Sequence, residues 1–511
     1  MAPDRSDDAA VHQPLLRRAE SDVESGAPPA NEEGTFTRSL GAIEAFGIVI
    51  SIVIGSGVFT SPGSIDTNVP SPGIALVIWL VGGVLAWTGA STFAELGTAI
   101  PGEGGVQPYL RHIYGDVYGF LAAWTWIVAI MPATLAILSI VFVESAYSAA
   151  GVMDGAGYVS HKLLSILVLI IMSVANSIST KASTQLNSLF VVLKFTSIAA
   201  VVVAAIAVVG LQVSNPDRDI GGRDWFTKNW FAYRKSSNPD GSETDWTQLG
   251  QWEIFGHYSA ALYGALWAYS GWDKAIYVSA ELSEPARQLP LAINTSIPTA
   301  IICFLAANAA YYILLPWNVV STTDSVAVTA ITQLLGRAFG IVAAILICLV
   351  VAGSLLGNSF VASRMTVAAA NSGWIPRIFT HVGSFGRRTN VNNDPAAENG
   401  SDAPINAIVL SAILGSIYIL FGSFRALITL NGIGEYSFFF LTVLGAVVLR
   451  YREPHLSRPY KPFIVNHFLF LAVSGFVVVR GAVFAWLQAL IVVVIWVLGL
   501  GFYQARKRRV E

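Results

Sequence analysis

Two stretches of the chain place small residues where an apolar helix ought to run unbroken. The first reads Ile52-Val53-Ile54-Gly55-Ser56-Gly57-Val58-Phe59, the second Leu266-Trp267-Ala268-Tyr269-Ser270-Gly271-Trp272-Asp273. Glycine and serine weaken such a helix where no water can replace a lost hydrogen bond. A helix restarting near Gly57 presents free N–H groups and the positive end of a dipole, which suits a carboxylate. A helix ending near residues 267–269 presents free carbonyls, which suit an ammonium. Opposite charges a few ångströms apart describe a zwitterion, and an α-amino acid is the obvious one. The candidate binding residues are therefore Val53, Ile54, Gly55, Ser56, Gly57, Trp267, Ala268, Tyr269, Ser270 and Gly271. Close helix packing through small residues accounts for one such break. Two at matching depth point to a midplane binding site.

Charged residues at membrane depth are the second signal. Lys194 sits near the middle of its apolar stretch, where an ammonium is costly unless partnered. Either it braces the broken first helix as a built-in cation, or it snorkels to the surface along its stem. Asp273 follows the second break and either compensates a cationic substrate or is neutralised by Lys274. Glu435 and Tyr436 either line the pocket or make bundle contacts. Trp267 lies away from the interface where belt tryptophans collect. Lys194, Trp267, Trp272, Asp273 and Glu435 form the gating or coupling set, while Glu95 and Arg364 read as gate or capping charges near helix ends. His257 has no second histidine, carboxylate pair or serine at matching depth, so an intramembrane hydrolase lacks its parts. No P-loop is present, and no cofactor or metal site is expected. An enzyme is not expected.

The elements that must position these residues follow from composition. Of 511 residues, 54% are hydrophobic, 45 are glycine and only 12% are charged, against ~25% charged in soluble proteins. An ordinary soluble enzyme, a disordered chain and a fibrous one are excluded; the bilayer is the natural solvent. With ~20 apolar residues needed per crossing, the candidate spans are 41–66, 72–98, 117–147, 161–179, 183–212, 254–282, 290–315, 336–370, 404–423, 425–450, 463–483 and 484–505. The fold class is an all-α polytopic membrane protein of ~12 helices. Matching breaks in the first and sixth spans predict a five-plus-five inverted repeat.

An even count puts both termini on one side. Placing them in the cytoplasm leaves 18 lysines and arginines inside against 9 outside, or 18 to 4 without the 213–253 loop, as the positive-inside rule requires. The domain reading is a disordered cytoplasmic tail (1–40), a first repeat (41–212), an extracellular loop (213–253), a second repeat (254–450), two further spans (451–505) and a short cytoplasmic tail (506–511). The first forty residues hold no apolar run, so no cleaved signal is expected. A net charge of −2 gives no basic field for nucleic acid.

From Gly41 onward the chain resembles the amino acid–polyamine–organocation superfamily, and within it the L-type amino acid transporters. Gly55-Ser56-Gly57-Val58-Phe59 with Ser61-Pro62 is similar to that family's first-helix motif. Phe93-Ala94-Glu95-Leu96-Gly97-Thr98, with Ile100-Pro101 and Gly104-Gly105, resembles its second-helix ending. Ala268-Tyr269-Ser270-Gly271-Trp272 resembles its sixth-helix Ala-Tyr-Gly-Gly-Trp, and Glu281, Pro285, Arg287 and Leu289-Pro290-Leu291-Ala292-Ile293 match the sequence that follows. The resemblance implies sodium-independent amino acid transport, commonly by exchange. It also implies that Lys194 stands where sodium-coupled relatives bind a cation. Trp267 departs from a phenylalanine thought to lid the substrate, and Ser270 from a glycine, so side-chain preference is where this chain is expected to differ.

The expected substrates are neutral, mainly large apolar L-amino acids, carried by alternating access across the plasma membrane. Cationic amino acids or polyamines are the alternative cargo, and a non-transporting amino acid receptor is the alternative from another class. Many animal members of the family join a single-span glycoprotein through a cysteine between the third and fourth helices. That loop, residues 148–160, contains no cysteine here, and Cys303 and Cys348 both lie in apolar spans. The expected partners are the substrate and the lipid bilayer, with no nucleic acid and no disulfide-linked heavy chain.

Overall fold

The computed structural model describes residues 40–100, 105–150, 159–178, 180–217, 220–237, 242–323, 326–381, 403–422 and 424–510. The acidic tail, most of the 148–160 loop, Pro101 and Gly104 of the second-helix motif, and most of the 373–403 loop lie outside the described residues.

Each expected span coincides with helix. Among the described residues nine helices are long and apolar enough to cross a bilayer, and the bent pair Ala42–Val53 and Gly57–Asp66 makes a tenth. The two others are shorter pieces at expected places. Ile405–Phe421 has 17 residues, and the sixth span is divided into Gln251–Ala268 and the 3-10 segment Trp272–Glu281. The chain is thus an all-α polytopic membrane protein. Among the described residues two helices of more than four residues lie outside the expected spans: Val106–Tyr114, before the third, and Val326–Leu335, before the eighth. The seventh span begins at Pro285, five residues before its apolar run, because proline suits a first helical position whose N–H would be orphaned anyway.

Packing sorts the spans into two groups. The seventh, Pro285–Leu314, runs along the second, Pro72–Ala99, and the first; the second also packs on the sixth. The eighth, Arg337–Asn371, runs along the third, Met131–Ala150, with the fourth, Val159–Ile178, and ninth beside them. The fifth, Thr180–Ser214, touches both groups. Side chains such as Leu163, Leu167, Ile171, Val192 and Ile206 remain exposed on the outside of the bundle, as an apolar solvent demands.

Glycines let the two broken spans approach each other. A Cβ on Gly57 would lie 2.7 Å from Ala268 Cα, and one on Gly271 would lie 2.4 Å from Ile52 Cγ2. Gly271 also has φ +101°, a left-handed conformation that side chains disfavour. The breaks therefore nest, backbone against backbone.

Candidate functional site

At that crossing lies a cavity of about 60 Å³. One water takes about 10–15 Å³ on this scale, so there is room for roughly four to six. Of the residues expected to bind substrate, Val53, Gly55, Ser56, Gly57, Trp267, Ala268, Ser270 and Gly271 line it. Ile54 and Tyr269 do not. Ile54 is buried, and the Tyr269 ring packs 4.7 Å from Phe304 and 6.0 Å from Trp79.

The first helix ends at Val53, and the next begins at Gly57 with a 41° bend. The N–H groups of Ser56, Gly57 and Val58 have no backbone acceptor among the described residues. In the sixth span Ser270 N–H turns back to the Trp267 carbonyl at 3.0 Å, leaving the Ala268 and Tyr269 carbonyls without a backbone donor among the described residues. Ser56 and Gly57 on one side and Ala268 on the other line the same small chamber, with the positive end of one helix dipole facing the negative end of another.

Lys194 is fully buried. Its ammonium donates to the Ser51 carbonyl and, at 2.8 Å, to Ser354 Oγ. Ser354 Oγ donates to the same Ser51 carbonyl at 2.9 Å, and Ser51 Oγ to Gly353 O at 3.2 Å. The last turn before the first break is thereby pinned to the fifth and eighth spans, and Lys194 does not snorkel.

Beyond the second break, Lys274 Nζ lies 2.8 Å from Asp273 Oδ2 and 2.9 Å from Glu435 Oε1. Ser270 Oγ approaches Glu435 Oε2 at 3.4 Å. Glu435 and Lys274 line the cavity; Asp273 does not. Trp272 turns the other way, into a cluster with Phe93, Phe439 and Phe470.

Ile52 of the first span, with Thr134, Ile137, Leu138, Asn358 and Asn431, completes the lining. The last five come from the third, eighth and tenth spans, of which the sequence reading singles out only Glu435 and Tyr436 as pocket residues. Two of them carried a readable signal, because an asparagine inside an apolar span is costly unless used. Asn358 Oδ1 and Asn431 Oδ1 are buried without a protein partner, as the amides are oriented here.

Ion pairs tie the elements above and below the cavity. On the side of the 213–253 loop, Asp66 accepts from Arg234 Nη2 and Tyr312 Oη, while Arg234 also reaches Trp317 O at 2.7 Å. His257 contacts Asn68 at 2.9 Å on the same side. On the opposite side Arg364 Nε donates to Glu281 Oε1 at 2.9 Å. There Leu40 exchanges backbone hydrogen bonds with Glu281 and Ser283. Glu95 gathers Arg450, Arg458 and His467.

The sequence profile of the amino acid permease family matches residues 40–502. The chain belongs to that family. This permease is 30% identical to the human b(0,+)-type amino acid transporter 1 over 463 residues, covering 91% of this chain and 86% of that protein. It is 27% identical to the human large neutral amino acids transporter small subunit 2, covering 90% and 78%. With the orangutan (Pongo abelii) cystine/glutamate transporter it shares 27% identity, covering 85% and 78%. The permease is an integral membrane protein whose activity is amino acid transport; it is not an enzyme.

Proposed function

We propose that this permease carries neutral, mainly large apolar L-amino acids by sodium-independent exchange. The observation that carries the reading is that Ser56 and Gly57, whose N–H groups have no backbone acceptor among the described residues, face Ala268, whose carbonyl has no backbone donor among them, across one cavity. A zwitterion satisfies both sets at once. Val53, Ile137, Leu138 and Trp267 leave an apolar chamber for the side chain. The built-in ammonium of Lys194, already bonded to the Ser51 carbonyl beside the first break, takes the place of an external cation.

The five-plus-five repeat is supported by the packing. Exchanging each span with the one five later maps the second–seventh and third–eighth contacts onto themselves and the first–seventh onto the second–sixth. Alternating access follows if the group holding both breaks moves against the other. We place both termini in the cytoplasm and the chain in the plasma membrane, working without a covalent heavy chain. The names of the relatives, an amino acid transporter, a large neutral amino acids transporter subunit and a cystine/glutamate transporter, agree with an amino acid cargo.

The test is uptake by purified protein in proteoliposomes, with sodium replaced by choline and a panel of unlabelled amino acids as competitors. Leucine or methionine should compete best, and uptake should persist in choline. Collapse without sodium contradicts the role given to Lys194, and arginine outcompeting leucine favours a cationic cargo. Binding without flux identifies a receptor. Mobility on gels should be the same with and without reductant.

A further inference from the structure

We propose that Asp273, Lys274 and Glu435 form a proton-binding site that couples amino acid movement to proton movement. This rests on the transport reading above and adds a coupling ion to it; exchange remains what the loaded carrier does when it returns loaded.

Within this cluster one ammonium faces two carboxylates, at 2.8 Å and 2.9 Å, and all three side chains are at most 5% exposed. The titratable groups facing it are Tyr277 from the same segment, Tyr263 from the first half of the sixth span and Tyr436 beside Glu435. Tyr109, on the helix Val106–Tyr114, adjoins Tyr277. Arg480 lies behind Tyr263, 5.5 Å from its ring. Lys194 is engaged at the other break with Ser51 and Ser354. No second cation therefore contacts either carboxylate among the described residues.

With both acids ionised the cluster carries one uncompensated negative charge away from bulk water, an arrangement that proteins relieve by neutralising a group. The hydrogen bonding agrees. Asp273 Oδ1 is buried with no hydrogen bond within 3.5 Å among the described residues, and only the Tyr277 hydroxyl faces Asp273 from beyond that distance. Glu435 Oε2 is met only by the long contact from Ser270. Two under-satisfied oxygens suit a proton held by the cluster as a whole. Because Glu435 and Lys274 line the cavity, proton and substrate enter the same chamber. One proton adds to a carboxylate oxygen from water on the entry side and leaves that oxygen to water on the exit side. No bond in the amino acid changes.

The experiment loads proteoliposomes of the full chain with a pH-reporting dye and adds leucine outside, without sodium. The lumen should acidify with uptake, and an acid-outside gradient should drive accumulation. Glu435→Gln and Asp273→Asn each leave Lys274 facing one carboxylate, with no need for a proton. In both, whatever uptake remains should move no proton and lose its response to the gradient. Lys274→Met leaves two carboxylates and should keep proton movement. Substrate-induced shifts in unfolding temperature establish that each variant is folded. A purely structural cluster predicts instead that all three variants slow uptake with an unchanged proton-to-substrate ratio. That result overturns the proposal, as does wild-type leucine flux without acidification, which leaves the transport reading standing. Arginine displacing leucine in the wild type but not in the carboxylate variants assigns the charge to a cationic cargo and also overturns it. Flux that appears only with leucine in the lumen and moves no proton overturns the proposal and leaves exchange standing; absence of flux under every gradient, with the lumen empty or leucine-loaded, sinks both readings.

Discussion

The two breaks do the same geometric job by different means. At the first, no acidic side chain is involved among the described residues: the turn ending at Val53 is fixed through a backbone carbonyl, Ser51 O, held by Lys194 and Ser354. At the second, the chain passes through left-handed Gly271 into a 3-10 segment and carries its own charges, Asp273 and Lys274, tied to Glu435. A 3-10 stretch of 10 residues is long for that geometry, and such stretches often mark hinges. On the proposed reading the two breaks divide the labour: the first would be a braced seat for the carboxylate and the second the part that responds to charge.

The largest expected effect attacks the seat. Gly57→Val puts side-chain atoms into Ala268, whose Cα already lies within 2.7 Å of a Cβ at this position. Overpacking costs of about 1–3 kcal/mol apply at the point of closest approach, so both substrate binding and flux should vanish. Wild-type affinity in this variant would show that the first break does not seat the substrate.

Removing the brace comes next. Lys194→Met keeps the volume but leaves the Ser51 carbonyl with Ser354 alone, and a lost buried partner costs ~1–3 kcal/mol. Transport should fall by about 10-fold or more, equally in sodium and in choline. A variant rescued by sodium would mean that an external cation can fill the lysine's place, sharpening the role assigned to it.

Esterifying the substrate probes the same seat from the ligand side. Hydrogen bonds to charged groups contribute ~1.5–3 kcal/mol, so the methyl ester of leucine should compete about 10- to 100-fold less well than leucine. An ester carried as well as the acid contradicts an N–H cradle at Ser56 to Val58. Trp267→Phe should matter least. It enlarges the chamber without touching either set of free backbone groups, so KM for leucine should change only a few-fold while bulkier side chains gain ground. A total loss of flux would make Trp267 part of the gate rather than of the wall.

The spans were legible because a helix in hydrocarbon must satisfy its own backbone and stay apolar for its whole length. The breaks were legible because Gly55-Ser56-Gly57 and Ser270-Gly271 violate that rule in plain sight. Which residues face the cavity was harder to read. Tyr269 and Trp272 flank Ser270 and Gly271 in sequence, yet the left-handed turn swings them into separate aromatic clusters. Thr134, Ile137 and Leu138 look like any other stretch of an apolar helix, and only packing against the breaks singles them out. The Asp66–Arg234 pair joins residues 168 apart, a distance no local pattern encodes. The competition between Lys274 and a substrate for Asp273 was visible in sequence, whereas the third member, Glu435, joins it only through the fold.

The close crossing of Gly57 over Ala268 has a mechanical consequence. Half-helices of 12 and 10 residues extend in opposite directions from it, lever arms of about 18 and 15 Å at ~1.5 Å per residue. A tilt of about 10° about this fulcrum displaces the far tip of the longer arm by about 3 Å while the centre scarcely moves. That tip carries Leu40, stitched to Glu281 and Ser283, and the tip of the other arm carries Asp66, clasped by Arg234. Small rotations at the break would therefore become ångström-scale strokes at two clasps at opposite ends of the span. On the proposed reading, grip on the cargo and opening of the path are then separable motions of two arms hinged at one break.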